Sequence, residues 1–326
     1  MPLNQSPQTC PICQRHGHFK FIQDARNQNG QFSLYECSLC GVQFWTPFQS
    51  PGADWYEQGD CYNVKDSSKP RILHSYHKIF LNSHKNLGNS TKVLDLGCGT
   101  GEFLAALQKN KIEVWGTDID KEAINIARES FDLKNVYPLP VEEFIKTIPL
   151  PLFDFITMFE VLEHIDNPWL ILTEAKKFLK PDGQLIISMP SKERIFVNLS
   201  SWDFPFHHLS RWSEKSMKNI LDLAGYKNVR IIYFNQIHFL YDLFLEIISK
   251  KLKFKKSANL KQLSQKNNQP LNTKKSLRHW ILSAIYKTGR FLGVIILPYF
   301  LAYLVAPISF IFFPRGGAMY IECLKK

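Results

Sequence analysis

The feature that most constrains this chain is the stretch VLDLGCGTGEF, residues 93–103. An apolar run ends in Gly97, Gly99 and Gly101 and passes directly into a helical pattern. Glycines in such a turn permit positive φ and let a ligand approach the backbone. The motif is therefore strand, tight turn and helix start. Short apolar and aromatic runs recur at 92–97, 113–118, 135–139, 153–159, 183–189 and 228–234. Helical spacing fills 101–109, 120–130, 167–179 and 213–224 between them, and 70–87 before them. Alternation of this kind builds an α/β fold with a parallel sheet and crossover helices. Pro181-Asp182-Gly183 predicts a turn into the fifth strand. GAMYIEC, 317–323, reads as a seventh strand after an unusually long interval.

The glycine turn suits a nucleotide-like ligand, but not the dinucleotide fingerprint. That spacing needs glycine at 102, and Glu102 stands there. A carboxylate at a helix start repels pyrophosphate and favours a ligand carrying positive charge. Asp118 ends the second strand about twenty residues on, where an acidic side chain can take both hydroxyls of a ribose.

Four blocks, DLGCGTG, GTDID, FDFITMFEVLEHIDNP and LKPDGQLIISMP, occur in order at strand ends. Together they resemble the motifs of class I S-adenosylmethionine-dependent methyltransferases. The third block resembles the bacterial ubiquinone-pathway O-methyltransferases. The resemblance covers roughly 90–236 and 316–324 and implies a Rossmann-like seven-stranded sheet. It places the last strand antiparallel between the fifth and sixth. It also implies that Asp95 and the loop Gly97, Cys98, Gly99 to Gly101 hold the methionine part of the cofactor. Asp118 would bind the ribose, Ile119 would pack on the adenine, and Glu142 would meet the adenine amine. Phe159 and Glu160 would line the reactive end. Asp182 stands where the family usually has a second glycine, a detail of the turn.

CPIC (Cys10, Cys13) and CSLCG (Cys37, Cys40) each put two thiols on one tight turn. Two such knuckles make a tetrahedral four-sulfur site, and a closed shell makes the zinc structural. So few residues cannot fold on their own core, so the metal supplies the folding energy. The competing redox use of CxxC normally involves a single motif in a βαβ setting. This double motif resembles a group of methyltransferases that carry an N-terminal zinc ribbon.

A sulfonium is already activated, so placement of the nucleophile in line is the main task. An oxygen acceptor must also lose a proton, which suits histidine or a carboxylate. His164, in EVLEHIDNP, and His207 and His208, in WDFPFHHLSRWS, are the candidate catalytic residues. A structural role for each histidine, and a surface place for Glu163, are the competing readings. MFEVLEH lacks the Asn/Asp-Pro-Pro-aromatic run of base amino-methyltransferases, which argues against nucleic-acid bases as acceptors.

The net charge of +11 is unevenly placed: residues 237–326 hold 15 Lys and Arg against three Asp and Glu. The same region carries FLGVIILPYFLAYLVAPISFIFF, 291–313, with 23 uncharged residues. If GAMYIEC rejoins the sheet, the chain must leave and return on one side of any bilayer. Pro298 and Pro307 cut the run into pieces too short to span about 30 Å. The expectation is amphipathic or re-entrant helices in one leaflet, with Lys250, Lys251, Lys253, Lys255 and Lys256 on anionic headgroups. A full hairpin, a helical lid, a dimer face and a solvated Lys-rich loop are the alternatives. The Lys-rich region lacks the aromatic interleaving of a nucleic-acid stacking surface.

The domain reading is a zinc ribbon at 1–48, a linker at 49–69 with Trp55, Tyr56 and Tyr62, the catalytic domain at 70–236, a basic and apolar insertion at 237–314, and the last strand at 315–326. MPLNQSPQT shows no signal-peptide pattern, so the expected place is cytoplasmic, peripheral at the inner face of the membrane. The leading function is methyl transfer from S-adenosylmethionine to oxygen, or carbon, of a membrane-associated or lipid-linked acceptor. The alternatives are a soluble sugar or metabolite methyltransferase and a non-catalytic cofactor-binding adaptor. The sequence does not give an oligomeric state.

Overall fold

The computed structural model describes residues 7–58, 73–194, 203–234, 301 and 317–326. The expectations for 237–248, for the lysines at 250–256, for the run 291–313 apart from Leu301, and for Tyr62 and Ile72 lie outside the described residues. Among the described residues no helix is long and apolar enough to cross a membrane.

Strands β1 (Phe19–Asn27), β2 (Gly30–Cys37) and β3 (Gln43–Thr46) form an antiparallel meander. Short helices α1 (Ala53–Gln58) and α2 (Ser75–Ser83) follow. Then come β4 (Lys92–Leu96), α3 (Glu102–Lys109), β5 (Glu113–Thr117), α4 (Lys121–Phe131), β6 (Val136–Tyr137) and α5 (Val141–Thr147). The chain continues through β7 (Phe153–Phe159), α6 (Pro168–Phe178), β8 (Leu179–Pro190), β9 (Ser210–Arg211), α7 (Glu214–Leu223), β10 (Tyr226–Phe234) and β11 (Ala318–Lys325).

The large sheet runs β10-β11-β8-β7-β4-β5-β6. β11 lies antiparallel between β8 and β10, as the resemblance implies. Ile321 pairs with Ile231 on one side and Ile187 on the other. An inner strand of this kind carries two hydrogen-bond ladders, so the last residues are integral to the sheet. Phe234 and Ala318 are register partners, so the chain departs from β10 and re-enters β11 at one edge of the sheet.

Side chains alternate between the two faces, as the two-residue period of a strand requires. Val93, Phe155, Ile186 and Tyr320 pack on one face with Phe80, Phe103 and Leu104. Leu94, Ile156, Ile187 and Ile321 pack on the other with Phe144, Ile171 and Met217. This second core continues into the N-terminal module through Ile12, Val42 and Phe44, which meet the Trp212 and Met217 region. β9 adds a fourth strand to the small sheet, pairing with β3. Each fully buried large aliphatic or aromatic side chain adds about 1.5–3 kcal/mol.

Three local expectations are corrected. Residues 179–190 form one strand and not a turn followed by a strand. Leu179 pairs with Phe153 and Gln184 with Phe155, so Pro181–Gly183 bulges out within the strand. A Cβ on Gly183 would lie 2.9 Å from the Phe153 carbonyl oxygen, which explains the glycine. The third strand shrinks to Val136–Tyr137, because only those residues find partners on β5. The stretch around Trp55 is helical over Ala53–Gln58, not irregular.

Candidate active site

The glycine turn lies between β4 and α3, and its conformation depends on two close approaches. Gly97 has φ 83°, and a Cβ there would meet Val161 at 2.3 Å. Gly101 has φ 85°, and a Cβ would meet Leu133 at 2.7 Å and Ala127 at 2.9 Å. The Asp118 carboxylate accepts from the Gly99 N–H at 2.8 Å and from the Asp120 N–H at 3.0 Å. Asp118 thus locks the second strand end onto the loop. Asp120 caps α4 by accepting from the Glu122 and Ala123 amides.

Asp95 is 2% exposed and accepts a 2.6 Å hydrogen bond from the Thr157 hydroxyl. Burial, and then the charge of Asp118, push its carboxyl up to about 7, against the Thr157 bond that holds it down. A cationic group arriving beside it would draw it back to the ionised form. The methionine ammonium of S-adenosylmethionine is such a group. Cys98 faces away: its sulfur fills the space where a Cβ on Gly116 would sit, at 2.8 Å. Its amide is already used by the Thr117 carbonyl at 2.9 Å. Ile119 is half-buried after Asp118, and Glu142 is half-buried in the first turn of α5, where burial raises its pKa.

β7 delivers the reactive end. Phe159 stacks on Tyr76 of α2 at 5.1 Å and meets Phe103 edge-on at 5.1 Å. Glu160 follows with φ 57°, an uncommon left-handed conformation for a non-glycine residue. Its carboxylate accepts from the Ser188 hydroxyl at 3.0 Å, and burial raises it to about 7. A 3-10 turn, Leu162–His164, then places Glu163 and His164.

Glu163 is 1% exposed, so the surface reading is excluded, and neither of its carboxylate oxygens has a hydrogen-bond partner among the described residues. The His164 Nε2 lies 3.8 Å from Glu163 Oε1, and its Nδ1 has no hydrogen-bond partner among the described residues. His208 packs against His164 with ring centroids 5.0 Å apart. Donor atoms of Glu163, His164 and His208 all fall within 4.8 Å of one another, a spacing that fits a divalent cation. Burial pushes His164 down to about 4 and His208 well below its usual range. Burial, and then the charge of Glu160, raise Glu163 well above the ordinary carboxyl range. The His207 ring lies against Trp55 at 5.1 Å, while its backbone hydrogen-bonds with His164.

At the other end of the small sheet, Cys10, Cys13, Cys37 and Cys40 are buried with their sulfurs within 4.8 Å of one another. The two knuckles share one geometry. Gln14 N–H donates to the Cys10 carbonyl and Gly41 N–H to the Cys37 carbonyl, both at 2.9 Å. Gln14 and Gly41 both have positive φ, 57° and 76°. Four sulfurs about 2.3 Å from zinc stand about 3.8 Å apart in a tetrahedron. Cys10 and Cys40 sulfurs are 3.8 Å apart. The residues therefore fit zinc. Crowding splits the thiols: Cys10 draws Cys13 down to about 7, while Cys40 is pushed up.

A family described as a methyltransferase domain matches residues 68–231. The chain belongs to the methyltransferase domain family. This methyltransferase is similar to ubiquinone biosynthesis O-methyltransferases over its catalytic portion. It is 34% identical over 149 residues to that of Glaesserella parasuis, covering 43% of this chain and 61% of the relative. It is 28% identical over 149 residues to that of Acinetobacter baylyi, covering 43% and 59%. The chain thus spans about three-fifths of the length of the curated relatives it matches. Its fold is similar to Haemonchus contortus phosphoethanolamine N-methyltransferase 2, solved with S-adenosyl-L-methionine. The TM-score there is 0.51 at 13% identity, over 93% of this chain and 71% of that one. It is also similar to the [4+2]-cyclase SpnF, with TM-score 0.51 at 15% identity, over 85% of this chain and 98% of that one.

The structure gathers Asp95, the glycine loop and Asp118 at the carboxyl ends of β4 and β5, where ligands of open α/β sheets bind. Phe159, Glu160, His164 and His208 gather at the end of the adjacent β7. Three contributors escaped the sequence reading. Tyr76 sits on Phe159. Arg194 forms a buried ion pair with Asp203. Trp55 and Tyr56 touch His207 and His164. Tyr76 was legible only as one apolar position of a helix, and the Trp55-Tyr56 pair only as aromatics in a polar stretch.

Proposed function

We propose that this methyltransferase transfers the methyl group of S-adenosylmethionine to an oxygen of a membrane-associated, lipid-linked acceptor. The observation that carries the reading is the grouping of the site residues at the ends of neighbouring strands β4, β5 and β7. A loop locked by Asp118 and a buried Asp95 meet, across Phe159 and Glu160, a trio of Glu163, His164 and His208. The first part suits a cofactor with a cationic amino acid end. The second suits an acceptor hydroxyl that must shed a proton. Asp95, Gly97, Gly99, Gly101, Asp118, Ile119 and Glu142 are the proposed cofactor residues, with Cys98 a packing residue of the loop. His164 and His208 are the proposed catalytic histidines. His207 supports the wall.

A second reading of the trio is favoured by the unpartnered Glu163 oxygens. His164, held near 4, is a weak base for a phenol-like hydroxyl near 10. A divalent cation held by Glu163, His164 and His208 would supply Lewis-acid stabilisation of the acceptor oxygen. Zinc at the four cysteines is proposed as structural.

The membrane part rests on sequence and topology. The basic, apolar segment 237–314 begins and ends beside paired positions Phe234 and Ala318. A two-residue Asn-Gly turn can therefore replace 235–317 without breaking either ladder of β11. Labelled-methyl transfer into lipid and soluble fractions of a cell extract tests the function. Label is expected in the lipid fraction, and the shortened chain is expected to bind cofactor but lose sedimentation with anionic vesicles. Label confined to the soluble fraction, with unchanged sedimentation, would refute the lipid-linked acceptor.

A further inference from the structure

The Trp55 ring, which meets His207 edge-on, also lines a groove. This groove has a volume of about 660 Å³ and lies between the β1–β2 hairpin and α1. Its walls come from both parts of the molecule: Asn29 and Gln31 from the hairpin, Gln49 from the loop after β3, Asp54 and Trp55 from α1, and Phe206. We propose that the groove is a sugar-binding subsite of the acceptor site, so that the methylated molecule is a glycan. The proposal rests on the reading of the chain as a methyltransferase with a lipid-linked acceptor, and names the class of that acceptor.

The lining decides between the chemistries. Trp55 and Phe206 are half-buried and meet edge-to-face at 6.4 Å, so they present flat apolar faces fixed in place. Phe32 buttresses Phe206 at 6.0 Å. The loop after β3 is pinned by the Ser50 amide, which donates to the Asp166 carboxylate. Around these platforms stand amides and one carboxylate. Gln31, Gln49 and Asp54 make no side-chain hydrogen bond among the described residues. An amide both donates and accepts, and a carboxylate accepts twice, which matches the hydroxyl rim of a pyranose. The C–H face of the same ring suits an aromatic platform. A prenyl chain would instead offer these polar groups no partner. A phosphate would meet Asp54 and no cation among the lining residues. The volume lies within the roughly 300–1,000 Å³ of small-ligand clefts.

The groove also communicates with the chemistry. Trp55 touches His207 at 5.1 Å, and its neighbour Tyr56 touches His164 at 6.4 Å. A sugar stacked at Trp55 would leave an adjoining residue of the glycan at the histidines. The N-terminal module thereby acquires a role in recognition, since its hairpin forms one wall.

Saturation-transfer difference NMR on the full chain, with a panel of methyl glycosides as probes, reads contact without turnover. At least one hexoside is expected to receive saturation at its ring C–H protons. Trp55→Ala is expected to weaken that glycoside by about tenfold, equivalent to ~1.4 kcal/mol. Trp55→Phe is expected to restore most of it, and calorimetric S-adenosylmethionine affinity is expected to stay unchanged. The exposed pair Gln31→Ala/Gln49→Ala supplies a variant that leaves the aromatic wall intact and is expected to weaken the same glycoside. Absence of saturation from every glycoside, or equal saturation in wild type and variants, overturns the subsite. So does displacement of the groove's occupant by a prenylated phenol. Glycoside binding without any S-adenosylmethionine binding would leave the subsite standing and overturn the methyltransferase function.

Discussion

The molecule holds two buried clusters of metal-capable side chains, and they differ in what they leave unsatisfied. The four cysteines sit in matched knuckles whose backbone hydrogen bonds are complete. Four thiolates close a tetrahedron, with no position for substrate. Glu163, His164 and His208 are as closely grouped, yet the Glu163 oxygens and the His164 Nδ1 have no hydrogen-bond partners among the described residues. Buried polar groups left without partners cost about 1–3 kcal/mol each. That cost, carried beside the glycine turn, is what the proposed ligand of the trio would relieve. The comparison separates a cluster proposed to make structure from one proposed to do chemistry.

The largest effect is expected at the first cluster. Cys37→Ser removes one corner of the tetrahedron, and the small sheet then has too little core to fold alone. Because Ile12, Val42 and Phe44 share a core with Trp212 and Met217, the damage should spread to the catalytic part. Zinc content measured by emission spectroscopy is expected to fall to background, and the thermal transition to drop sharply or vanish. A variant that lost its zinc but kept its transition would show that the ribbon does not need the metal.

The opposite pattern is expected at the second cluster. Glu163→Gln keeps the shape and removes the titratable carboxyl. Methyl transfer should fall by about 10²-fold or more, the usual weight of acid–base groups. Stability should not fall, because no side-chain hydrogen bond among the described residues is broken. Measuring kcat and the melting temperature on one preparation separates the two. A melting temperature that drops as far as in Cys37→Ser would make the trio structural and dissolve the contrast.

A smaller, pH-dependent effect is expected at the cofactor end. Asp95 has a folded pKa raised to about 7, against about 3.9 when unfolded. Between those values the unfolded chain has released a proton that the folded chain keeps. Asp95 therefore makes the cofactor-free protein lose stability as pH rises from about 4 to 7. A cationic cofactor favours the ionised form, so its affinity should rise as pH passes from 6 to 8, by about tenfold at most. Calorimetry at both values checks this, and Asp95→Asn should flatten the dependence. A profile that stays steep in Asp95→Asn would move the titrating group elsewhere, with Glu160 the next candidate.

Much of this contrast was legible in the sequence, and the illegible part has a physical cause. Regular elements announce themselves through period, so β4, β5, β7 and β11 fall within a residue or two of the expected spans. The cysteine cluster was legible because each pair is local, two residues on one turn. The trio was harder. Glu163 and His164 are adjacent, but His208 arrives from a loop forty-four residues away and is fixed by the Leu209 amide bonding the Glu163 carbonyl at 3.0 Å. Burial of Glu163 could not be read either, since a glutamate after a strand is usually exposed. The groove at Trp55 was invisible for the same reason. Its two walls come from residues about 30 and about 206, which only the folded chain brings together.

The smallest effect tests how the two clusters are mechanically joined. Lys192, after β8, donates to the Glu36 carboxylate at 2.7 Å and to the Gly41 carbonyl at 3.3 Å, so it reaches from the catalytic part to the second knuckle. Burial works to raise the Glu36 pKa, but the Lys192 and Gln43 hydrogen bonds outweigh it and leave the pKa lowered. The stabilisation is therefore present above the unfolded carboxyl value of about 4.3 and fades as pH falls through the folded one. Both groups are partly exposed, so solvent screens the pair and about 0–1 kcal/mol is the expected loss in Lys192→Ala. Chemical denaturation at pH 7 and again near pH 3 measures it, and the difference between wild type and variant should shrink at the lower pH. A loss well above 1 kcal/mol would mean that charge and not the shared core of Ile12, Val42 and Phe44 couples the ribbon to the catalytic sheet. In that case high salt should loosen the ribbon and disturb the Trp55 groove before it disturbs the cofactor turn.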